Sequence, residues 1–184
     1  MNKSELNKFI ELYNLNGTIE SVKIVSDGDN AKTSFVSDDK TLAGTVSFSS
    51  VKIEKGEYGI YDTAQLKKMI SVLEENIDIA VTKVSDRPVS WSVSDGSTDS
   101  TVLLADLSVV PSAPKVKEIK SYDVEIPMTD EFIERYIKAK NALSDVDTFT
   151  LLVNKKGKME LVIGHSNINT NRIKLDVAPI AGKD

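Results

Sequence analysis

The chain has 184 residues, of which 40% are hydrophobic and 28% charged, with a formal net charge of −5 and no cysteine. This length suffices for one large domain or two small ones, and the lack of cysteine excludes disulfides and thiolate metal sites and fits a reducing compartment. The acidic balance argues against general adhesion to DNA, so contact with a polyanion would need a local basic surface. No apolar run approaches the ~20 residues of a membrane span, and we expect no membrane partner.

Three segments follow one amphipathic helix pattern. Each begins at a residue that can cap a helix N-terminus and has apolar residues four, seven and eight positions later. An apolar residue before each cap would pack onto the one four positions after it. The caps are Asn2, Asp62 and Thr129, after Met1, Tyr61 and Met128, and the stripes are Leu6, Phe9 and Ile10, then Leu66, Met69 and Ile70, then Ile133, Tyr136 and Ile137.

A basic residue lies six positions after each cap, namely Lys8, Lys68 and Arg135. Helical geometry turns this position roughly 160–200° away from the stripe, so the charge should face solvent. Basic residues at the same offset in three helices fit an ordinary solvated surface about as well as they fit a shared binding surface. Three further basic residues on the same helices would widen this surface: Lys67, Lys138 and Lys140.

Strand-like segments with turn signals follow each helix. They cover 19–26, 31–37 and 42–49, then 77–84, 89–94 and 101–109, then 148–153, 158–164 and 171–177, with a tight hairpin turn at 154–157. Further strands at 51–61 and 121–128 precede the second and third helices. The repeated unit is therefore a strand, a helix and three strands, and pairing two units would bury both apolar faces in an α+β domain.

The prolines Pro111 and Pro114 interrupt this rhythm and predict an extended connector. We expect a first domain of two repeats at 1–110, a connector at 111–120, and a partial second domain with one repeat at 121–184.

The sequence contains few residue patterns that are typical of metal sites or catalytic sites. His165 is the single histidine, and the aspartates near Asp27 and Asp38 lack the spacing of a calcium loop. No phosphate-binding glycine loop or nucleophile motif occurs. We therefore predict no metal site, no cofactor and no enzymatic activity.

The arrangement resembles the DNA polymerase sliding clamps, and the local sequence is most similar to the clamps of tailed bacteriophages. The resemblance lies in Gly59-Ile60-Tyr61-Asp62 leading into Leu66 and 70–73, and in Val124-Glu125-Ile126 running into Phe132, Ile133 and the helix through Lys140. It extends over essentially the whole chain but lacks the last of the four repeats, as a truncated reading frame or a fragment would.

The resemblance implies a DNA-clamp fold with antiparallel sheets outside and helices on one face, and a processivity factor in the host-cell cytoplasm. Such a protein encircles duplex DNA without reading its sequence and tethers DNA polymerase, with a clamp loader as a further partner. The six basic residues named above would face the DNA through sparse contacts that permit sliding.

The resemblance also implies head-to-tail trimers, in which strand 101–107 pairs with 171–177 of a neighbour, and a groove for partner peptides near Val109, Val110 and Pro111. The alternative is a structural or assembly protein of a phage particle with no role on DNA.

Overall fold

The computed structural model describes residues 1–114, 121–122, 124–153, 157–168 and 170–177. Within these ranges the chain forms three helices and ten strands, and it divides into two compact units, Met1–Lys117 and Glu118–Asp184. The predicted turn residues 154–156 and the connector residues 115–120 lie outside the described ranges. The domain limits 1–110, 111–120 and 121–184 therefore stay a prediction.

The first unit, called unit 1 below, contains two helices and seven strands. Every strand pair is antiparallel, and the strands form two sheets with the orders β3-β2-β1-β4 and β5-β6-β7. The elements are α1 (Lys3–Asn14), β1 (Val22–Ser26), β2 (Asn30–Val36), β3 (Ala43–Ser49), β4 (Gly56–Ile60), α2 (Thr63–Ser71), β5 (Asp78–Val84), β6 (Arg87–Ser94) and β7 (Asp99–Leu103).

The second unit, unit 2, contains one helix and one sheet among its described residues. Its elements are α3 (Asp130–Ala142), β8 (Phe149–Val153), β9 (Met159–Ile163) and β10 (Ile173–Val177), and the antiparallel sheet has the order β10-β9-β8. The α+β fold built from helix and three-strand repeats is thus confirmed.

All three helices begin where their capping residues predict. Asn2 accepts a hydrogen bond from the Ser4 amide at 2.7 Å, and Asp62 accepts one from the Gln65 amide at 2.7 Å. Thr129 accepts one from the Phe132 amide at 3.2 Å. Each bond satisfies an amide that has no partner inside its helix.

The predicted packing of the residue before each cap is found only in part. Met1 packs against the core of unit 1, but Tyr61 and Met128 are largely exposed. The capping hydrogen bonds therefore fix α2 and α3 without full burial of the preceding apolar side chain.

Three strands differ clearly from the prediction. The strand at 101–109 ends at Leu103, because Asp106 turns the chain: its carboxylate accepts hydrogen bonds from the amide and hydroxyl of Ser108 at 2.9 and 2.8 Å. No strand is assigned at the described positions within 121–128. The strand before α2 exists but is confined to Gly56–Ile60.

The two repeats of unit 1 exchange the segments that precede their helices. β4 precedes α2 yet pairs with β1 of the first repeat, from Val22 opposite Ile60 to Ser26 opposite Gly56. In return, Met1 before α1 and Ile77 before β5 exchange two backbone hydrogen bonds, of 2.6 and 2.9 Å. β4 therefore extends the sheet of the first repeat, and Met1 ties the start of α1 to the residue before β5.

The core of unit 1 lies between these two repeats. The rings of Tyr58 on β4 and Trp91 on β6 meet edge to face at 5.3 Å, and both side chains are buried. The hydroxyls of Tyr13 on α1 and Thr63 on α2 are 3.3 Å apart, which joins the two helices. Burial raises the pKa of the Tyr13 hydroxyl, so it stays a neutral hydrogen-bonding group.

Candidate nucleic-acid interface

Lys8 lies on the solvent face of α1. The opposite face is fully buried and packs toward the sheets through Leu6, Phe9, Ile10 and Tyr13. Lys8 is exposed and forms no ion pair within the described part of the chain. Beside it a shallow groove of about 340 Å³ is lined by Glu11, Leu12, Leu15 and Phe48.

Lys68 repeats this placement on α2. Leu66 and Ile70 are buried and Met69 is half-buried, so the predicted stripe is confirmed, while Lys68 is exposed. Its neighbour Lys67 is half-buried. Neither lysine forms an ion pair with another described residue.

Unit 1 therefore brings two lysines to equivalent solvent-facing positions on two helices that contact each other. The other exposed residues of α2 are uncharged, namely Ala64, Gln65 and Ser71. A lysine without a protein carboxylate partner can bind a phosphate oxygen without first breaking an ion pair. Such contacts are independent of sequence and weaken steeply with salt.

The third helix departs from the prediction. Its buried residues are Phe132 and Ala139, whereas Ile137 of the expected stripe is exposed. At ~100° per residue, Arg135 lies about 50° from the centre of this buried stripe rather than opposite to it. Its guanidinium donates a 3.4 Å hydrogen bond to the Asp176 carbonyl on β10.

The other basic residues of α3 differ in their surroundings. Lys138 is exposed and forms a 3.9 Å ion pair with Glu134 one turn earlier. Lys140 is half-buried and donates a 2.9 Å hydrogen bond to the Ser144 carbonyl, close to the end of the helix. Both are consistent with ordinary helix stabilisation. Among the three equivalent cations, Lys8 and Lys68 share one environment and Arg135 has another.

The residues after β7 form a structured segment against β4. The Ala105 amide donates a 2.8 Å hydrogen bond to the Gly59 carbonyl, and a methyl group of buried Val110 lies beside Gly59. Val109 and Pro111 are exposed. Of the three residues predicted to bind partners, Val110 therefore anchors the segment, while the other two are accessible.

A groove lies between this segment and the outer face of the first sheet. It has a volume of about 390 Å³ and is lined by Lys23, Val25, Lys32, Ser34, Pro111, Ser112 and Ala113. The sheet residues of this groove were not predicted from the sequence. Buried and solvent-facing residues alternate along β1 and β2. This alternation places Lys23 and Lys32 on the face opposite the buried residues, and it could have predicted them from the sequence.

The strands predicted to join neighbouring copies are edge strands. β7 ends the sheet of the second repeat, and β10 ends the sheet of unit 2. Leu103 on β7 is 80% exposed. Edge strands with free backbone groups can pair with another chain.

No metal site or membrane helix is found among the described residues. They contain no group of three or more acidic or histidine side chains that could hold a metal ion. None of their helices is both long and apolar enough to cross a bilayer.

Solved structures of sliding clamps match nearly the whole chain. A DNA polymerase sliding clamp from Caulobacter crescentus aligns over 97% of this chain and 50% of its own, with a TM-score of 0.59 and 15% identity. The DNA polymerase III subunit beta from Pseudomonas aeruginosa aligns over 97% and 52%, with a TM-score of 0.52 and 13% identity. No protein-family model and no curated protein matches the sequence.

These comparisons show the sliding-clamp fold. A DnaN sliding clamp from Bartonella birtlesii, determined with bound griselimycin, is similar over 97% of this chain and 49% of its own, with a TM-score of 0.52 and 13% identity. The chain spans about half the length of these clamps.

Proposed function

We propose that this chain is a non-catalytic DNA polymerase processivity factor, a sliding clamp of bacteriophage type acting in the host-cell cytoplasm. The observation that carries the proposal is the placement of Lys8 and Lys68 at equivalent, exposed and unpaired positions on adjacent helices of a clamp fold. The phage assignment is supported by the sequence resemblance around Gly59–Asp62 and Val124–Ile126.

The basic residues act as weak, exchangeable phosphate contacts. Lys8, Lys67 and Lys68 contact the duplex from unit 1, and Arg135, Lys138 and Lys140 contribute from unit 2. A dense set of ion pairs would hold the protein at one place, whereas a few salt-sensitive contacts permit translation along the duplex. Enclosure of the DNA, rather than affinity, then keeps the protein bound.

The chain would enclose DNA through self-association. We propose the head-to-tail contact of β7 with β10 of a neighbouring copy, which leads to the trimeric ring of the family. Both strands have a free edge within the described residues, and exposed Leu103 offers an apolar contact on β7.

The partner groove is assigned to the face between β1, β2 and the segment 111–113. Exposed Pro111 lies at one side, and Lys32 provides positive charge on its floor, where the ammonium group of Lys23 is paired with Glu57 at 3.1 Å. A short peptide with an apolar residue and an acidic residue fits this chemistry. The polymerase and the clamp loader would both bind here.

The experiment is a primer-extension assay with a replicative polymerase and clamp loader of phage type. The wild-type chain should increase the length of DNA that the polymerase synthesises in one binding event. Lys8→Glu/Lys68→Glu should abolish this increase. The matched control Lys40→Glu/Lys55→Glu reverses two exposed lysines in strand-connecting loops and should retain it. Stimulation that survives in the first variant would contradict the proposed DNA-facing residues. No stimulation by the wild type would favour the alternative, a structural protein of the phage particle.

A further inference from the structure

Glu20, which lies between α1 and β1, holds the first turn of α2. The first three amides of a helix have no acceptor inside it, and in α2 they belong to Thr63, Ala64 and Gln65. The Asp62 side chain accepts the Gln65 amide. Glu20 accepts the other two: its backbone carbonyl takes the Thr63 amide at 3.0 Å, and its carboxylate takes the Ala64 amide at 3.0 Å. A residue of the first repeat therefore caps the helix of the second.

A buried hydrogen-bond cluster ties Glu20 to α1 as well. Fully buried Thr63 donates its hydroxyl to the Glu20 carbonyl at 2.8 Å. A hydroxyl has one proton, so the Tyr13 hydroxyl, 3.3 Å away, donates to the Thr63 oxygen. Asn14, the last residue of α1, donates to the Ile19 carbonyl at 2.7 Å and to the Glu20 carboxylate at 3.5 Å. Glu20 thus contacts the end of α1 and the start of α2.

The opposite ends of the two helices are also linked. The amide of Lys3, the first residue of α1, donates to the Glu75 carbonyl after α2 at 2.7 Å, and the Lys3 ammonium group donates to the Leu73 carbonyl. The start of each helix is therefore tied to the chain at the end of the other, so the helices run antiparallel. The Glu20 link includes a carboxylate, which a substitution can remove without changing either helix.

These links set how α1 and α2 lie relative to each other. α1 contacts β3 and α2 contacts β7, which belong to different sheets, so the sheets alone do not fix the distance between the helices. A slip of α2 by one residue would move its side chains by ~1.5 Å along the axis and turn them by ~100°. Lys68 lies only five positions after Thr63, so it follows any movement of the first turn.

We propose that Glu20 is a positioning residue: by holding the start of α2 against the end of α1, it fixes the separation of Lys8 and Lys68. The consequence for DNA rests on the proposed function. Two lysines held at one separation can contact two phosphates without first losing the freedom of a mobile helix, and this preorganisation strengthens binding.

The charge of Glu20 makes the sign of the effect informative. A carboxylate near a phosphate-binding surface repels DNA, so electrostatics alone predicts that its removal strengthens binding. Positioning predicts weaker binding for Glu20→Ala, which loses the acceptor of the Ala64 amide. Glu20→Gln loses the charge but keeps an acceptor oxygen, so it should bind DNA at least as tightly as the wild type.

The first test measures the distance between the two lysine positions without DNA. Spin labels are attached to Lys8→Cys/Lys68→Cys in the full chain, which has no native cysteine, and the distance distribution is measured by double electron–electron resonance. Glu20→Ala should broaden this distribution, whereas Glu20→Gln should leave it as in the wild type. The control Glu11→Ala removes the same charge from the exposed side of α1 and should also leave it unchanged.

The second test measures affinity for a labelled duplex by fluorescence anisotropy, with the native lysines in place. Glu20→Ala should bind about threefold more weakly than the wild type. Glu20→Gln and Glu11→Ala should bind at least as tightly as the wild type. Glu20→Asp keeps the charge but shortens the side chain, and it should match Glu20→Ala in both tests. It replaces the alanine variant if circular dichroism shows that variant to be unfolded.

Two results would overturn the positioning role of Glu20. One is a distance distribution in Glu20→Ala and Glu20→Asp that is as narrow as in the wild type. The other is duplex binding by Glu20→Ala that is as tight as that of Glu11→Ala. If the wild type itself does not bind the duplex, the proposed DNA contacts fail, and the distances measured without DNA decide the positioning role.

Discussion

Lys8 and Lys68 hold the same place in two adjacent helices, six positions after the caps Asn2 and Asp62, and both are exposed without a carboxylate partner among the described residues. The equivalence follows from the repeated helix pattern: the cap sets where each helix begins, and the buried stripe sets which side faces solvent. Two positive charges are thereby fixed on one helical layer by local sequence.

Reversing both charges should weaken binding to duplex DNA and reduce its salt dependence. Each phosphate neutralised by a lysine contributes about −0.9 to the slope of log K against log salt concentration. Lys8→Glu/Lys68→Glu should therefore give a shallower slope than the wild type in fluorescence anisotropy with a labelled duplex. Lys40→Glu/Lys55→Glu serves as the charge-matched control. Equal slopes for the two variants would show that Lys8 and Lys68 do not contact the DNA.

A methyl group at Gly59 should detach the segment that carries Val109 and Pro111. A Cβ atom there would lie 2.5 Å from the Ala105 carbonyl oxygen and 3.2 Å from a methyl carbon of Val110. Crowding of this kind costs about 1–3 kcal/mol. We expect Gly59→Ala to lower the free energy of unfolding and to raise amide exchange at 105–113.

The control for this prediction is Ser47→Ala on β3, an exposed position that should change neither quantity. If Gly59→Ala leaves exchange at 105–113 as in the wild type, the segment does not depend on its close approach to β4. Another contact would then hold the segment 105–113 beside Lys23 and Lys32.

Asp95 should stabilise unit 1 at neutral pH but not in acid. Its carboxylate accepts the Glu74 amide at 2.8 Å, which ties the chain after α2 to the β6–β7 turn, and it accepts bonds from Ser97 and Thr98. These hydrogen bonds, chiefly that from Glu74, hold the pKa of Asp95 well below its ordinary value of 3.8. A lowered folded-state pKa gives stability above the unfolded-state pKa that is lost as pH falls through the folded-state value.

Asp95→Ala should therefore be less stable than the wild type at pH 7, and the difference should shrink once the pH falls below about 3.8. Urea unfolding at both pH values measures this. Asp38→Ala, at an exposed position in the β2–β3 turn, should match the wild type throughout. If the difference in the free energy of unfolding between Asp95→Ala and the wild type is the same in acid as at pH 7, the charge of the Asp95 carboxylate is not the cause of the stabilisation.

An acidic residue on the β7 edge should weaken head-to-tail association. Leu103 is 80% exposed, and placing a charge on an edge strand opposes pairing with another strand. Leu103→Glu should reduce the mass of the head-to-tail assemblies in sedimentation velocity, while circular dichroism shows that the variant is folded. Unchanged large assemblies would place the head-to-tail contact elsewhere.

Local sequence predicted the helices well because each carries its own start signal. Asn2, Asp62 and Thr129 cap as expected, and the stripes of α1 and α2 are buried. The stripe of α3 failed at Ile137, since burial of that residue requires a neighbouring repeat and not only a helical period. The lack of a strand at the described positions within 121–128 has the same origin: in unit 1 the corresponding strand, β4, pairs with the other repeat.

The binding surfaces were harder to predict than the fold. The exposure of Lys8 and Lys68 follows from helix geometry, but Arg135 lies toward β10 because the buried face of α3 is rotated. The floor of the groove beside Pro111 is formed by side chains from β1 and β2, about 80 residues away in sequence. Only the tertiary fold brings such distant residues together.

Site-specific photo-cross-linking tests directly whether Lys8 and Lys68 face the DNA duplex. A benzophenone is attached to Lys8→Cys, Lys68→Cys or the control Lys40→Cys in the otherwise cysteine-free chain, which is then irradiated with a labelled duplex at low salt. We expect DNA adducts from positions 8 and 68 and none above background from position 40. Adducts from position 40 alone, or none from positions 8 and 68, would contradict it.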